Sequence, residues 1–188
     1  MRIIAGKYRG RRLTAGRGRK LRPTAARVRE AIFSIIGPDL SYRRVLDLFA
    51  GSGAMGLEAL SRGAASVIFV DYPTASLRVL RKNLAVCGNP ANGSIVRYDL
   101  SKGLRGLVRR GWLFDLIFLD PPYGSGLTQK CLAELGKGEL LSRRALVVSE
   151  HALGEQLEST YGCLQQHTVK RYGQASVSIY QRVKEGEQ

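Results

Sequence analysis

The chain lacks what would tie it to a membrane, to an oxidising compartment or to a metal. No apolar run approaches the ~18 residues that a helical bilayer span requires. The three cysteines, Cys87, Cys131 and Cys163, are odd in number and far apart. No C-x-x-C pair occurs, and the two histidines, His151 and His167, add no ligand spacing. A disulfide framework, a metal site and a membrane partner are therefore not expected, whereas a reducing, cytoplasmic setting is. The start, MRIIAGKYRGRR, is basic but has no apolar stretch of the kind a secretory signal needs. Acid is missing from the whole N-terminal stretch: the first carboxylate is Glu30. There is no internal repeat, and 188 residues suit one domain with a short appendage.

What is present is positive charge, unevenly placed. The chain carries 30 Lys and Arg against 15 Asp and Glu, a formal net charge of +15. Eleven of the cations lie in residues 1–29: Arg2, Lys7, Arg9, Arg11, Arg12, Arg17, Arg19, Lys20, Arg22, Arg27 and Arg29. Arginine dominates this set, and its planar fork suits phosphate and stacks on bases. A one-sign, Arg-rich run without an amphipathic helical stripe points to nucleic acid rather than to a membrane surface. Two extended pieces, Arg2–Ile4 and Tyr8–Leu13, with Gly6 at the turn, predict a basic β-hairpin arm over residues 1–23. Its removal is expected to weaken RNA binding without unfolding the remainder.

A helix is expected after Pro23, with Thr24 as its N-cap and Val28, Ala31, Ile32, Ile35 and Ile36 on one apolar face. Strands and helices then alternate. Strands are predicted at Val45–Phe49, Ser66–Val70, Ile95–Tyr98, Phe114–Leu119 and Ala145–Ser149. Helices are predicted at Ala54–Arg62, Thr74–Cys87, Leu104–Arg110 and Leu127–Leu135. Cys163–Arg171 and Ala175–Val183 read as a hairpin turning at Tyr172-Gly173. The pattern predicts an α/β fold, a parallel sheet covered on both faces and closed by an antiparallel strand.

Two motifs lie at predicted strand ends. The first is Gly51-Ser52-Gly53-Ala54-Met55-Gly56, a G-x-G-x-x-G run between a strand and a helix, with Asp71 closing the next strand. Glycines there let backbone approach a ligand, and the acid suits a ribose diol. No G-K-[ST] follows, which excludes a P-loop. Asp47, set among apolar neighbours in VLDLF, must find donors, so a ligand-facing or loop-bracing role is expected. The second motif is Asp120-Pro121-Pro122-Tyr123. Two prolines fix the backbone and remove two N–H donors, leaving the Asp120 carboxylate and the Pro121 carbonyl as acceptors. Acceptors beside an aromatic suit a planar NH₂ group, which methyl transfer to an exocyclic amine requires and hydride transfer does not.

VLDLFAGSGAMGLEAL with DPPY resembles the S-adenosylmethionine-dependent amino-methyltransferases of the Rossmann-like class. RIIAGKYRGRRL, RPTAARVREAIFSII and the closing RYGQASVSIYQR resemble one branch of these, the bacterial 16S rRNA guanine-N2-methyltransferases of the RsmD type. The resemblance spans nearly the whole chain. It implies a mostly parallel seven-stranded sheet in the order 3-2-1-4-5-7-6 with the last strand antiparallel, and a methyltransferase domain over residues 24–188. It implies S-adenosyl-L-methionine as cofactor, held by Asp47, Gly51, Ser52 and Gly53 at the methionine part, Asp71 at the ribose and Asp99 at the adenine amine. Asp120, Pro121 and Tyr123 would bind and activate the target guanine, at position 966 of the rRNA in the assembled or assembling small subunit. The enzyme would act as a monomer. Phe69 stands where some relatives carry a second ribose acid, and Ala26 where a polar residue is common.

Other readings stay open on sequence alone. A DNA adenine-N6 methyltransferase shares DPPY, but no second DNA-reading region is evident. A protein-glutamine methyltransferase usually carries Asn at the Asp120 position. A nicotinamide dehydrogenase fits only the glycine loop. A non-catalytic ribosome-assembly factor has no use for the amine-accepting turn.

Overall fold

The computed structural model describes residues 1–15 and 23–183, with the backbone alone for residues 23–25. The chain divides into two compact units, Met1–Tyr98 and Asp99–Gln188.

In the first unit α1 (Pro23–Ile36) precedes β1 (Arg44–Leu48), α2 (Ala54–Ser61), β2 (Ser66–Asp71), α3 (Thr74–Val86) and β3 (Gly93–Arg97). β1 pairs with β2 and β2 with β3, both in parallel, Asp47 opposite Phe69 and Phe69 opposite Ile95. Leu46, Leu48, Val67 and Phe69 from the strands are fully buried with Leu57 of α2 and Leu80 of α3. These are the continuous apolar strands and helix stripes that a doubly covered sheet demands. Two details of α1 differ from expectation. The helix already includes Pro23, a residue suited to a first turn, so Thr24 lies inside the helix rather than at its cap. The buried face is Val28, Ile32 and Phe33, while Ile35 is 40% exposed. Phe33 is wholly buried, and the Arg62 guanidinium lies over its ring, 4.6 Å from the centroid.

The N-terminal segment is not a free arm. Arg2 and Arg12 form one antiparallel bridge, and residues 5–10 are turns rather than strands. Ile3, Tyr8 and Leu13 are buried. The carboxylate of Glu58 in α2, fully buried, accepts the N–H groups of Ile4 (2.8 Å) and Ala5 (3.0 Å). Ser61 takes the N–H of Tyr8 on its hydroxyl (2.9 Å) and that of Lys7 on its carbonyl (2.7 Å). The approach at Gly6, with φ +79, is so close that a Cβ there would collide with the Ser61 carbonyl. Removing residues 1–22 would strip two donors from a buried carboxylate, a cost to the first unit that the expectation of truncation without unfolding did not include.

In the second unit a 3₁₀ turn (Leu100–Lys102) and α4 (Arg105–Val108) lead into β4 (Phe114–Leu119), α5 (Leu127–Leu135) and β5 (Leu141–Ala152). β6 (Thr160–Tyr161), β7 (Leu164–Tyr172) and β8 (Ala175–Arg182) follow. β4 and β5 are parallel, and β5, β8, β7 and β6 pair antiparallel in that order. The full strand order is β3-β2-β1-β4-β5-β8-β7-β6. It is the expected α/β order with one addition, the two-residue edge strand β6. The β7–β8 turn falls at Gly173-Gln174, with Gly173 at φ +61. β5 runs seven residues beyond the expected Ala145–Ser149, starting earlier at Leu141, which faces Phe114 of β4, and ending later along its antiparallel pairing with β8, which reaches Ala152. No helix among the described residues is long and apolar enough to cross a membrane.

Candidate active site

The glycine loop leaves β1 through Phe49, a non-glycine residue at φ +59, a strained conformation of the kind found at functional turns. Gly51 and Gly53 follow at φ +57 and +77. Gly53 stands at the N-cap of α2 and offers no side chain to the helix N-terminus. Asp47 supplies that function from the strand: its Oδ2 accepts the Gly56 N–H at 2.9 Å, and the residue is 3% exposed. Asp47 thus braces the first turn of α2, one of the two roles expected of it. A Cβ on Gly56 would collide with the Phe69 ring, and one on Gly53 with Leu80. The second and third glycines therefore permit close helix packing, while Gly51 and Ser52 remain half-exposed on the open side of the loop. Phe69 is wholly buried beneath those glycines. It belongs to the core and is not a substitute for a ribose acid.

Asp71 closes β2 and ties the loop to that strand. Its Oδ2 accepts the Gly51 N–H and its Oδ1 the Tyr72 N–H, both at 2.7 Å. The exposed Tyr72 ring beside it carries the Arg97 guanidinium 5.1 Å from its centroid. Sequence reasoning passed over Tyr72. Its position directly after Asp71 was the available signal.

In the second unit Asp99 caps the 3₁₀ turn. Its Oδ1 accepts the Ser101 hydroxyl at 2.6 Å and the Ser101 N–H at 3.1 Å. The hydroxyl bond is the main cause holding its carboxyl below the ordinary range. The Asp120 turn follows β4 directly. Asp120 is half-buried, Pro121 buried and Pro122 exposed. Tyr123 is 46% exposed, and its hydroxyl donates to Glu150 Oε1 at 3.3 Å. The turn is closed by Ser125, whose hydroxyl donates to the Pro122 carbonyl at 2.6 Å. Glu150, near the end of β5, is the second residue that sequence reasoning missed. Its signal was an acid directly after the apolar run ALVVS.

The basic residues separate into three groups. Arg2, Lys7, Arg9, Arg11, Arg12 and Arg27 are exposed. Lys7 and Arg11 lie over the buried Tyr8 ring at 5.5 and 5.2 Å, and Arg11 also donates to the Val86 carbonyl at the end of α3. Arg17, Arg19, Lys20 and Arg22 lie outside the described residues. Arg29 is corrected as an RNA contact: it is 4% exposed, its Nη2 donates to the Arg2 carbonyl at 2.6 Å, and its Nε lies 3.7 Å from Glu58 Oε2. Burial pushes its guanidinium below the ordinary value. Its work is internal, joining α1 to the docked N-terminal segment.

A sheet in this order, with a glycine loop after its first strand, is that of the Rossmann-like class I methyltransferases. The chain belongs to the family described as conserved hypothetical protein 95, which matches residues 1–181. It is 36% identical over 187 residues to ribosomal RNA small subunit methyltransferase D of Escherichia coli strain K12, covering 100% of this chain and 92% of that protein. It is 37% identical over 182 residues to the putative rRNA methyltransferase YlbH of Bacillus subtilis strain 168, covering 97% and 99%. The solved structure of the putative methyltransferase yhhF from Escherichia coli superposes with a TM-score of 0.83 at 36% identity, covering 97% of each chain.

Proposed function

We propose that this protein transfers the methyl group of S-adenosyl-L-methionine to the exocyclic N2 of a guanine in small-subunit rRNA, at position 966. The observation that carries the reading is the Asp120 turn at the carboxyl end of β4, where a half-buried carboxylate, a buried proline and a half-exposed aromatic follow one another. The similarity to small subunit methyltransferase D over the full length of this chain supports rRNA as the substrate class.

The residues of the first unit fit the cofactor. Gly51 and Ser52 are open, Asp71 lies beside them, and Tyr72 offers an exposed ring. Asp71 would take the ribose hydroxyls, and Tyr72 would lie against the purine. When bound, the cofactor supplies an electrophilic methyl group on a sulfonium. The chain's own contribution is to orient the amine. The guanine N2 lone pair is delocalised into the ring, so acceptance of its N–H bonds by Asp120 and the Pro121 carbonyl turns that lone pair towards the methyl. Positioning and the Asp120 charge dominate the acceleration, because the amine becomes positive as the bond forms. Asp120 then holds the departing proton or passes it to water. Tyr123 stacks on a base already unstacked in a loop. The exposed cations of the N-terminal segment hold the phosphates, and binding weakens steeply with salt.

The test is methyl transfer to small ribosomal subunits lacking this modification, with naked rRNA and duplex DNA alongside and the product nucleoside identified by mass. N2-methylguanosine at one rRNA position is expected. N6-methyladenine in DNA, with no transfer to RNA, would sink the rRNA assignment.

A further inference from the structure

Glu150 has no part in the chemistry above, yet the register of the second unit brings it to the target-binding turn. The parallel pairing of β4 with β5 ends at Leu119 opposite Ser149. Asp120 is the first residue after β4, and Glu150 is the next residue of β5. Leu119 and Ser149 are buried at 1% and 0% exposure, whereas Asp120 and Glu150 are both half-buried. Side chains alternate along strands, so Glu150 leaves β5 on the face opposite to buried Ser149, and Asp120 directly follows the end of β4, a neighbouring strand about 4.8 Å away. The Glu150 side chain reaches towards the turn: its Oε1 accepts the Tyr123 hydroxyl at 3.3 Å.

From this juxtaposition we infer that Glu150 reads the N1–H of the target base and makes the site select guanine. The inference rests on the guanine-N2 reading above. The Watson–Crick edge of guanine presents the N2 amine and the N1–H side by side, both donors. Asp120 and the Pro121 carbonyl take the amine, and a second acceptor beside them matches N1–H. A base with an unprotonated N1 would point a lone pair at the Glu150 carboxylate. A site built around a substrate donor rejects an analogue lacking it far more strongly than apolar packing can, because its own acceptor is left facing no partner. The Tyr123 hydroxyl orients the carboxylate, so that residue serves stacking and selection together.

2-Aminopurine tests this directly, since it keeps the 2-amine but has an unprotonated N1. Small subunits are reassembled on ligated rRNA carrying guanine or 2-aminopurine at the target position, and kcat/KM is measured for each. The wild type is expected to favour guanine by at least about 100-fold. E150Q, whose amide can either accept or donate, is expected to compress that ratio to within about tenfold, with an unchanged melting temperature. Y123F, which loses the orienting hydroxyl, should fall between them. A wild type that methylates both bases equally, or an E150Q variant that keeps the full ratio, overturns the role of Glu150. Absence of N2-methylguanosine from the wild-type guanine reaction instead overturns the parent reading and this role with it.

Discussion

The glycine loop of the first unit and the Asp120 turn of the second are both strand-end turns, but they are held differently. The loop is fixed from below: Asp47 and Asp71 spend carboxylate oxygens on the N–H groups of Gly56, Gly51 and Tyr72, and Gly53 and Gly56 press against Leu80 and Phe69. The Asp120 turn carries two prolines, the Ser125 hydroxyl on the Pro122 carbonyl and the Tyr123 hydroxyl on Glu150, and presents an exposed tyrosine. One turn is built into the helix packing of its unit, and the other presents its side chains at the surface. A reaction that uses the same cofactor every time and must admit a large RNA benefits from that division.

Substitutions should separate the two regions cleanly. The largest effect is expected from Asp120→Ala: a loss of about 10³ in kcat, about 4 kcal/mol, with cofactor affinity and melting temperature unchanged. Calorimetry with S-adenosylhomocysteine and single-turnover transfer check it, and loss of cofactor binding would refute the assignment. Glu58→Ala should do the reverse, costing about 3–5 kcal/mol of stability, read as a fall in the denaturation midpoint. An unaffected midpoint would mean that the docked N-terminal segment is not braced by that acid. Tyr123→Ala is expected to cost about 1–3 kcal/mol in the RNA-dependent step, with no change in cofactor affinity; an unchanged rate rules out stacking.

The smallest effect concerns acid. His151, 4% exposed, is bonded through Nε2 to the Ser178 hydroxyl at 2.9 Å, and burial pushes its imidazole below its ordinary value. The unfolded chain then binds a proton that the folded chain refuses. Stability should fall as pH drops below about 6.5, the ordinary histidine value, towards the depressed folded one. A His151→Gln variant should show a flatter melting profile across that window; an identical slope would exclude the residue as the cause.

The sheet was legible because its strands are short apolar runs bounded by glycine and its helices carry local stripes, signals contained within about ten residues each. Both motifs were legible for the same reason. The edge strand β6 was not, since two residues carry no periodicity and owe their pairing to β7. Arg29 misled for a related reason. A cation in an Arg-rich run reads as a phosphate contact, and only the fold sets Arg29 beside the Glu58 carboxylate, which also accepts from the Arg62 side chain and from the N–H groups of Ile4 and Ala5, more than fifty positions away in sequence. Phe69 drew notice only through the family resemblance, and the sequence alone did not show that its ring lies under Gly53 and Gly56. Glu150 became visible only through the β4–β5 register.

Asn83 closes the account of the first unit. Fully buried in α3, its amide donates to the carbonyls of Thr14 (3.0 Å) and Ser52 (2.8 Å) and accepts the Thr14 N–H (2.8 Å). Asn83 follows Ser52 by 31 positions and Thr14 by 69. At bacterial-to-eukaryotic elongation rates that interval is on the order of 3–14 s. Until it has passed, Thr14 lacks the side chain that holds it in the finished fold. The segment carrying Thr14 is thus made well before its anchor, and a polyanion near the exit site has several seconds in which to meet it unanchored.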